Sequence, residues 1–141
     1  MEKVRINNDL LVKYTVLRDG QPESFVGATD ITVTVTNEAY KKAISNTFDI
    51  VGNIVNISID AADFNLCGKY RVTLKYVRGN NIEIDALAFE GVQYTSLTGG
   101  TEIVGVEIVT VNISGDIGIA IPDNNKIDLN GLNSDIQRLQ F

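Results

Sequence analysis

Histidine and tryptophan are absent from this 141-residue chain, cysteine occurs once and proline twice. Without histidine there is no side chain whose ordinary titration falls near neutral pH. That removes the usual general base, the commonest transition-metal ligand and the Ser-His or Cys-His nucleophile pair. The single cysteine, Cys67, excludes an intramolecular disulfide, so stability has to come from packing. A lone thiol beside a strand is expected to act as a small core residue rather than a nucleophile. No P-loop, dinucleotide fingerprint or zinc spacing occurs. The glycines between Gly91 and Gly105 bound strands and open no helix, which leaves phosphate cradling without support.

Positive charge is also scarce. Twelve basic against eighteen acidic residues give a net charge of −6, with no basic patch, which disfavours nucleic acid as a partner. No apolar run approaches the roughly 20 residues that span a bilayer, so no membrane insertion is expected. Met-Glu-Lys-Val-Arg-Ile runs directly into alternating sequence with no signal peptide visible, and the expected site of synthesis is the cytoplasm. The length suits one core, since a chain of this size removes roughly 68–70% of its unfolded surface from water.

What the sequence does hold is alternation. Tyr70, Val72, Leu74 and Tyr76 alternate with Lys69, Arg71, Thr73 and Lys75, which predicts a half-buried strand. Gly79-Asn80-Asn81 then turns the chain, and Ile82 to Asp85 resumes the alternation as the second arm of a hairpin. Leu10, Val12, Tyr14 and Val16 form an apolar face upstream, ended by the Asp19-Gly20 turn and by Pro22, which removes a ladder donor. From Asp30 to Thr36, Ile31, Val33 and Val35 are expected inward and three threonines outward. Residues 37–46 read as a loop with one helical turn, too short and polar to stand alone. Thr47 to Val51 and Ile54 to Asp60 form a second predicted hairpin across Gly52-Asn53, with Val55, Ile57 and Ile59 inward.

Leu66-Cys67-Gly68-Lys69-Tyr70-Arg71-Val72 resembles the approach to the F strand of immunoglobulin-like sandwiches. There a Gly-x-Tyr step places a corner tyrosine whose hydroxyl caps nearby backbone. The second cysteine of disulfide-bearing members would fall at Val72, so the resemblance implies a disulfide-free relative. From Leu10 to Tyr94 the order of elements is similar to the immunoglobulin-like N-terminal domain of phage upper baseplate and tail-fibre proteins. The features that carry this are Gly27 to Asn37 (GATDITVTVTN), the Ile54 to Asp60 strand and Gly68-Lys69-Tyr70. It implies a non-enzymatic docking subunit of a virion or tail-like particle, although no long fibre, head domain or collagen-like repeat follows here.

The clearest internal break, Thr95 to Gly100, divides the chain into a sandwich over 1–98 and an extension over 99–141 packed on the same domain or on a neighbouring subunit. Gly91 to Tyr94 precedes it as a short strand. Thr101 to Ser114 carries apolar groups on both faces, so it is either covered on both sides or awaits a partner, and Ile117 to Ile121 is a further short strand. Leu129, Leu132, Ile136 and Leu139 then recur at helical spacing, capped by Asn133 or Ser134. This stripe, with Phe141 as a terminal plug, is expected to form a short helical tail. It docks on its own subunit or forms a dimeric or trimeric contact between copies, and a discrete oligomer is the expectation.

Two acidic constellations remain. Asp123 to Gly131 is rich in oxygen ligands but fails the EF-hand register and reads as a polar loop, so no metal or cofactor is expected. Glu83 and Asp85 share one strand face, as paired carboxylates of a glycosidase would, but a solvated hairpin face is the expectation. Carbohydrate binding or cell-surface adhesion is the alternative function, with Tyr40 and Tyr94 as the exposed aromatic rings. The sequence therefore predicts an all-β, immunoglobulin-like antiparallel β-sandwich of about 8–9 strands with a short C-terminal helical tail. It acts by binding protein partners and is not an enzyme.

Overall fold

Period-two alternation builds two sheets whose apolar faces meet. The computed structural model describes residues 1–93 and 108–120, and among them there are eleven strands and no helix. They are β1 (Lys3–Arg5), β2 (Asp9–Arg18), β3 (Gln21–Pro22), β4 (Thr29–Asn37), β5 (Lys42–Ile44), β6 (Thr47–Val51), β7 (Ile54–Ile59), β8 (Gly68–Arg78), β9 (Asn81–Val92), β10 (Ile108–Asp116) and β11 (Gly118–Ala120). Tyr94, the Asp123 to Gly131 loop, the stripe Leu129, Leu132, Ile136 and Leu139 with Phe141, and the helical tail expected of them lie outside the described residues.

One sheet runs β1-β9-β8-β4-β5, with β11 also on β9; the other runs β10-β2-β7-β6, with β3 also on β2. Two pairings correct the expectation of a wholly antiparallel sandwich: β1 lies parallel to β9 and β10 parallel to β2. Hairpins impose antiparallel pairing, and neither of these pairs is joined by one. At Ile117, whose N–H donates to the Leu17 carbonyl at 2.8 Å, the chain leaves one sheet for the other, so β10 and β11 span the flank of the sandwich.

The inward rows are those the alternation predicts. Val12, Tyr14, Val16, Val35, Val55, Ile57, Tyr70, Val72, Leu74 and Tyr76 are fully buried. At one end Tyr70 stacks on Phe89 with ring centroids 5.2 Å apart, Phe64 meets both edge-on, and the Tyr70 hydroxyl donates to the Leu66 carbonyl at 2.6 Å. Gly91 packs closely there: a Cβ would lie 3.0 Å from both Ile6 and the Tyr70 ring.

Three local expectations fail. Residues 42–44 form β5 instead of part of a loop, because Val35 to Asn37 offers them a ladder that local propensity cannot reveal. Gly91 and Val92 continue β9 instead of forming a separate strand, held between Gly68 of β8 and β1. Cys67 is exposed instead of joining the core, since it precedes the strand at the corner where Gly68 takes φ +112°.

Candidate functional site: a charge cluster between the sheets

The register of one hairpin decides where the charged groups go. Arg78 pairs with Asn81 across the Gly79-Asn80 turn, so Tyr76 pairs with Glu83 and Leu74 with Asp85. Directly paired residues share a face. Tyr76 and Leu74 face the core, and both carboxylates must follow them. Glu83 is 2% exposed and Asp85 half-buried, which overturns the expected solvated face. The apolar residues Ile82 and Ile84 take the other face.

Burying Glu83 requires compensation, and the strand across the sandwich supplies it. Arg18, at the end of β2, donates through Nη2 to Glu83 and at 2.8 Å to Glu23. Its Nε donates to both Glu23 oxygens, and its Nη2 also reaches the Tyr76 hydroxyl at 3.2 Å. Tyr76 in turn donates to Glu23. On the far side Arg78 lies 3.5 Å from Glu83 and 3.6 Å from Glu23, donates to the carbonyls of Ser24 and Val26, and places its guanidinium 5.6 Å from the Tyr76 ring centroid. Phe25 covers Tyr76 with centroids 5.2 Å apart. Two carboxylates, two guanidiniums and a phenol thus meet between the sheets and tie the segment after β3 to the other sheet, with Arg78 Nε, buried 3.5 Å from Glu83, left without a hydrogen bond among the described residues.

The electrostatics follow from this geometry. Burial alone would raise the Glu23 carboxyl, but hydrogen bonds from Arg18, Tyr76 and the Ser24 N–H outweigh it and hold the group at about 2. Hydrogen bonds to Glu23 and Glu83 raise Arg18 above its ordinary value. Burial, and then the bond to Glu23, raises the Tyr76 phenol. A carboxylate locked in its ionised form and a phenol locked in its neutral form make poor proton carriers near neutral pH.

A second cross-link stands beside the first. The Tyr14 hydroxyl of one sheet donates to Asp85 of the other at 2.6 Å, and burial with this carboxylate pushes Tyr14 well above the usual phenol range. The Asp85 carboxylate lies over Gly115 of β10, where a Cβ would fall 1.9 Å from Oδ2. Sequence reasoning missed Arg18, Glu23, Tyr76 and Arg78 as members of one site, and Tyr14 as the partner of Asp85. The signal within reach was the pairing of Arg78 with Asn81, which turns Glu83 inward and obliges the fold to bring a cation to it.

Of the two rings expected to contact a ligand, Tyr40 is 64% exposed on the turn between β4 and β5. Its N–H donates to Asn37 Oδ1, and the buried Asn37 side chain donates to the Cys67 carbonyl at 3.1 Å. Tyr94 lies outside the described residues. A depression of about 550 Å³ beside the cluster is lined by Pro22, Glu23, Ser24, Phe25, Val26, Gly52 and Asn53. One of about 120 Å³ lies among Ser45, Asn46, Thr47, Ser58, Asp60 and Asp63. Among the described residues no three potential metal ligands converge, and no helix is long and apolar enough to cross a membrane. The chain matches no known protein family, no characterised protein and no solved structure.

Proposed function

We propose that the chain is a non-enzymatic structural module of immunoglobulin-like design that serves as a docking subunit in a phage or prophage tail or baseplate assembly. The observation that carries the structural reading is the charge cluster that bridges the two sheets. Glu23, Glu83, Arg18, Arg78 and Tyr76 are bonded or ion-paired to one another across the two sheets, and Glu23 is held ionised and Tyr76 neutral near neutral pH. The immunoglobulin-like design is supported by strand order. With β2, β4, β6, β7, β8 and β9 taken as B, C, D, E, F and G, the neighbours β2-β7-β6 and β9-β8-β4 are the B-E-D and G-F-C sets of that fold. Tyr70, near the start of β8 with its hydroxyl on the Leu66 carbonyl, supports it further.

The assembly setting is supported by the sequence resemblance over residues 10–94. Co-purification tests it. Tail-like particles isolated from cells that make the chain are expected to contain it in fixed ratio to the other particle proteins. Recovery in the free-protein fraction alone overturns the setting.

A further inference from the structure

Between β3 and β4 the chain crosses the end of the sandwich that holds the charge cluster, and over Glu23 to Ala28 its backbone is satisfied mostly by itself. The Ser24 N–H donates to the Glu23 carboxylate, the Val26 N–H to the Ser24 hydroxyl at 3.3 Å, and the Ala28 N–H to the Phe25 carbonyl at 3.0 Å. Among the described residues one backbone bond ties the segment to a strand, from the Glu23 N–H to the Val16 carbonyl at 3.0 Å. The carbonyls of Ser24 and Val26 accept from a side chain instead, the Arg78 guanidinium. The remaining hold is also made by side chains: Glu23 on Arg18 and Tyr76, and Phe25 on the Tyr76 ring.

Both flanks of the segment are built to turn. Ahead of it come the Asp19-Gly20 turn, at φ +52° and +79°, and the short β3. Near its end Gly27 takes φ +83°, and just beyond it the β4–β8 ladder shifts register between Thr29 and Thr32. The hold itself is incomplete. Arg78 Nε is buried with no hydrogen bond among the described residues, and such a donor regains water when its cover lifts.

We propose that Glu23 to Ala28 is a strap, latched by Arg78, that lifts from the end of the sandwich as a unit while both sheets stay folded. Lifting removes Glu23, so Arg18 and Arg78 are left facing one carboxylate of the cluster, Glu83, and the Tyr76 ring loses the cover of Phe25. The direct pair of Arg18 with Glu83 keeps the sheets joined in that state. The inference goes beyond the docking reading and does not depend on it.

Native-state hydrogen exchange of the full-length chain in low urea tests it. The Glu23 and Ala28 amides are read against those of Tyr14 and Leu74, which lie in the fully buried rows. A segment that lifts alone exposes little surface. After correction for intrinsic rates, exchange at Glu23 and Ala28 is therefore expected to be about 100-fold faster than at Tyr14 and Leu74 and nearly independent of urea, whereas the strand amides accelerate with it. Arg78→Gln, which removes the guanidinium from the Ser24 and Val26 carbonyls, is expected to speed exchange at Glu23 and Ala28 about tenfold. Arg71→Gln, whose guanidinium pairs with Glu38, is expected to leave both rates unchanged. The urea comparison needs no variant. Exchange at Glu23 and Ala28 that rises with urea in parallel with Tyr14 and Leu74 belongs to a segment that opens only with the whole sandwich, and overturns the inference. Exchange at the intrinsic rate at both positions, or rates indifferent to Arg78→Gln, overturns it as well.

Discussion

Glu23 shows how a buried carboxylate is kept ionised. Its oxygens accept from Arg18, Tyr76 and the Ser24 N–H, and these bonds outweigh the cost of burial and hold its carboxyl at about 2 against an ordinary 4.5. The ionised form therefore stabilises the fold fully above pH 4.5, and the contribution is lost as pH falls from 4.5 towards 2. The shift corresponds to about 3 kcal/mol. Urea unfolding followed from pH 6 to pH 2.5 is expected to show stability falling through this window. Glu23→Gln, already destabilised at pH 6, should flatten the fall, and an equal slope in both proteins would contradict the assignment. Asp85 and Gly115 form a second contact at this scale. Gly115→Ala places a methyl group against a carboxylate that Tyr14 holds in position, with an expected loss of about 1–3 kcal/mol. If the collision is the cause, adding Gly115→Ala to an Asp85→Ala background costs much less than adding it to the unmodified chain, a non-additivity that a double-mutant cycle measures.

Among the elements, the β8–β9 hairpin organises the rest. One face of β8 carries Tyr70, Val72, Leu74 and Tyr76 into the core, and its partner β9 brings Phe89 to the aromatic end and Glu83 to the charged end. Tyr70 and Tyr76 are six residues apart along an extended strand, so the two ends lie roughly 20 Å from each other. At the aromatic end the Tyr70 hydroxyl fixes the corner that leads into the strand. Tyr70→Phe removes that bond while keeping the stacked ring, and is expected to cost about 1 kcal/mol in denaturant unfolding. The inward rows of β2, β4, β7 and β8 were legible because each alternates apolar and polar residues. The inward face of β9 was not, because apolar Ile82 and Ile84 mimic a core row while Glu83 and Asp85 mimic a wet one. Register overrules composition there: a two-residue turn fixes which residues pair, and pairing fixes the face. Strand β5 escaped for the opposite reason, since three residues carry too little pattern and owe their state to the edge of β4.

For the molecule as a whole, the layered all-β class was legible in the sequence and the route of the chain through its last described strands was not. Alternation marks a strand but does not say which strand it will join. The parallel seats of β1 on β9 and of β10 on β2 depend on contacts between segments far apart in sequence. The candidate site was least legible of all, because its members come from positions 18, 23, 76, 78 and 83 and form no local motif. On the function proposed above, these groups join the two sheets and are not chemistry held in reserve. Groups kept for function commonly sit in strained surroundings, and replacing them often leaves stability unchanged or raises it. The direct test is equilibrium denaturant unfolding of Glu83→Gln, which preserves shape and removes the charge facing Arg18 and Arg78. A cooperative transition with a loss of about 3 kcal/mol is predicted; unchanged or increased stability would contradict the account.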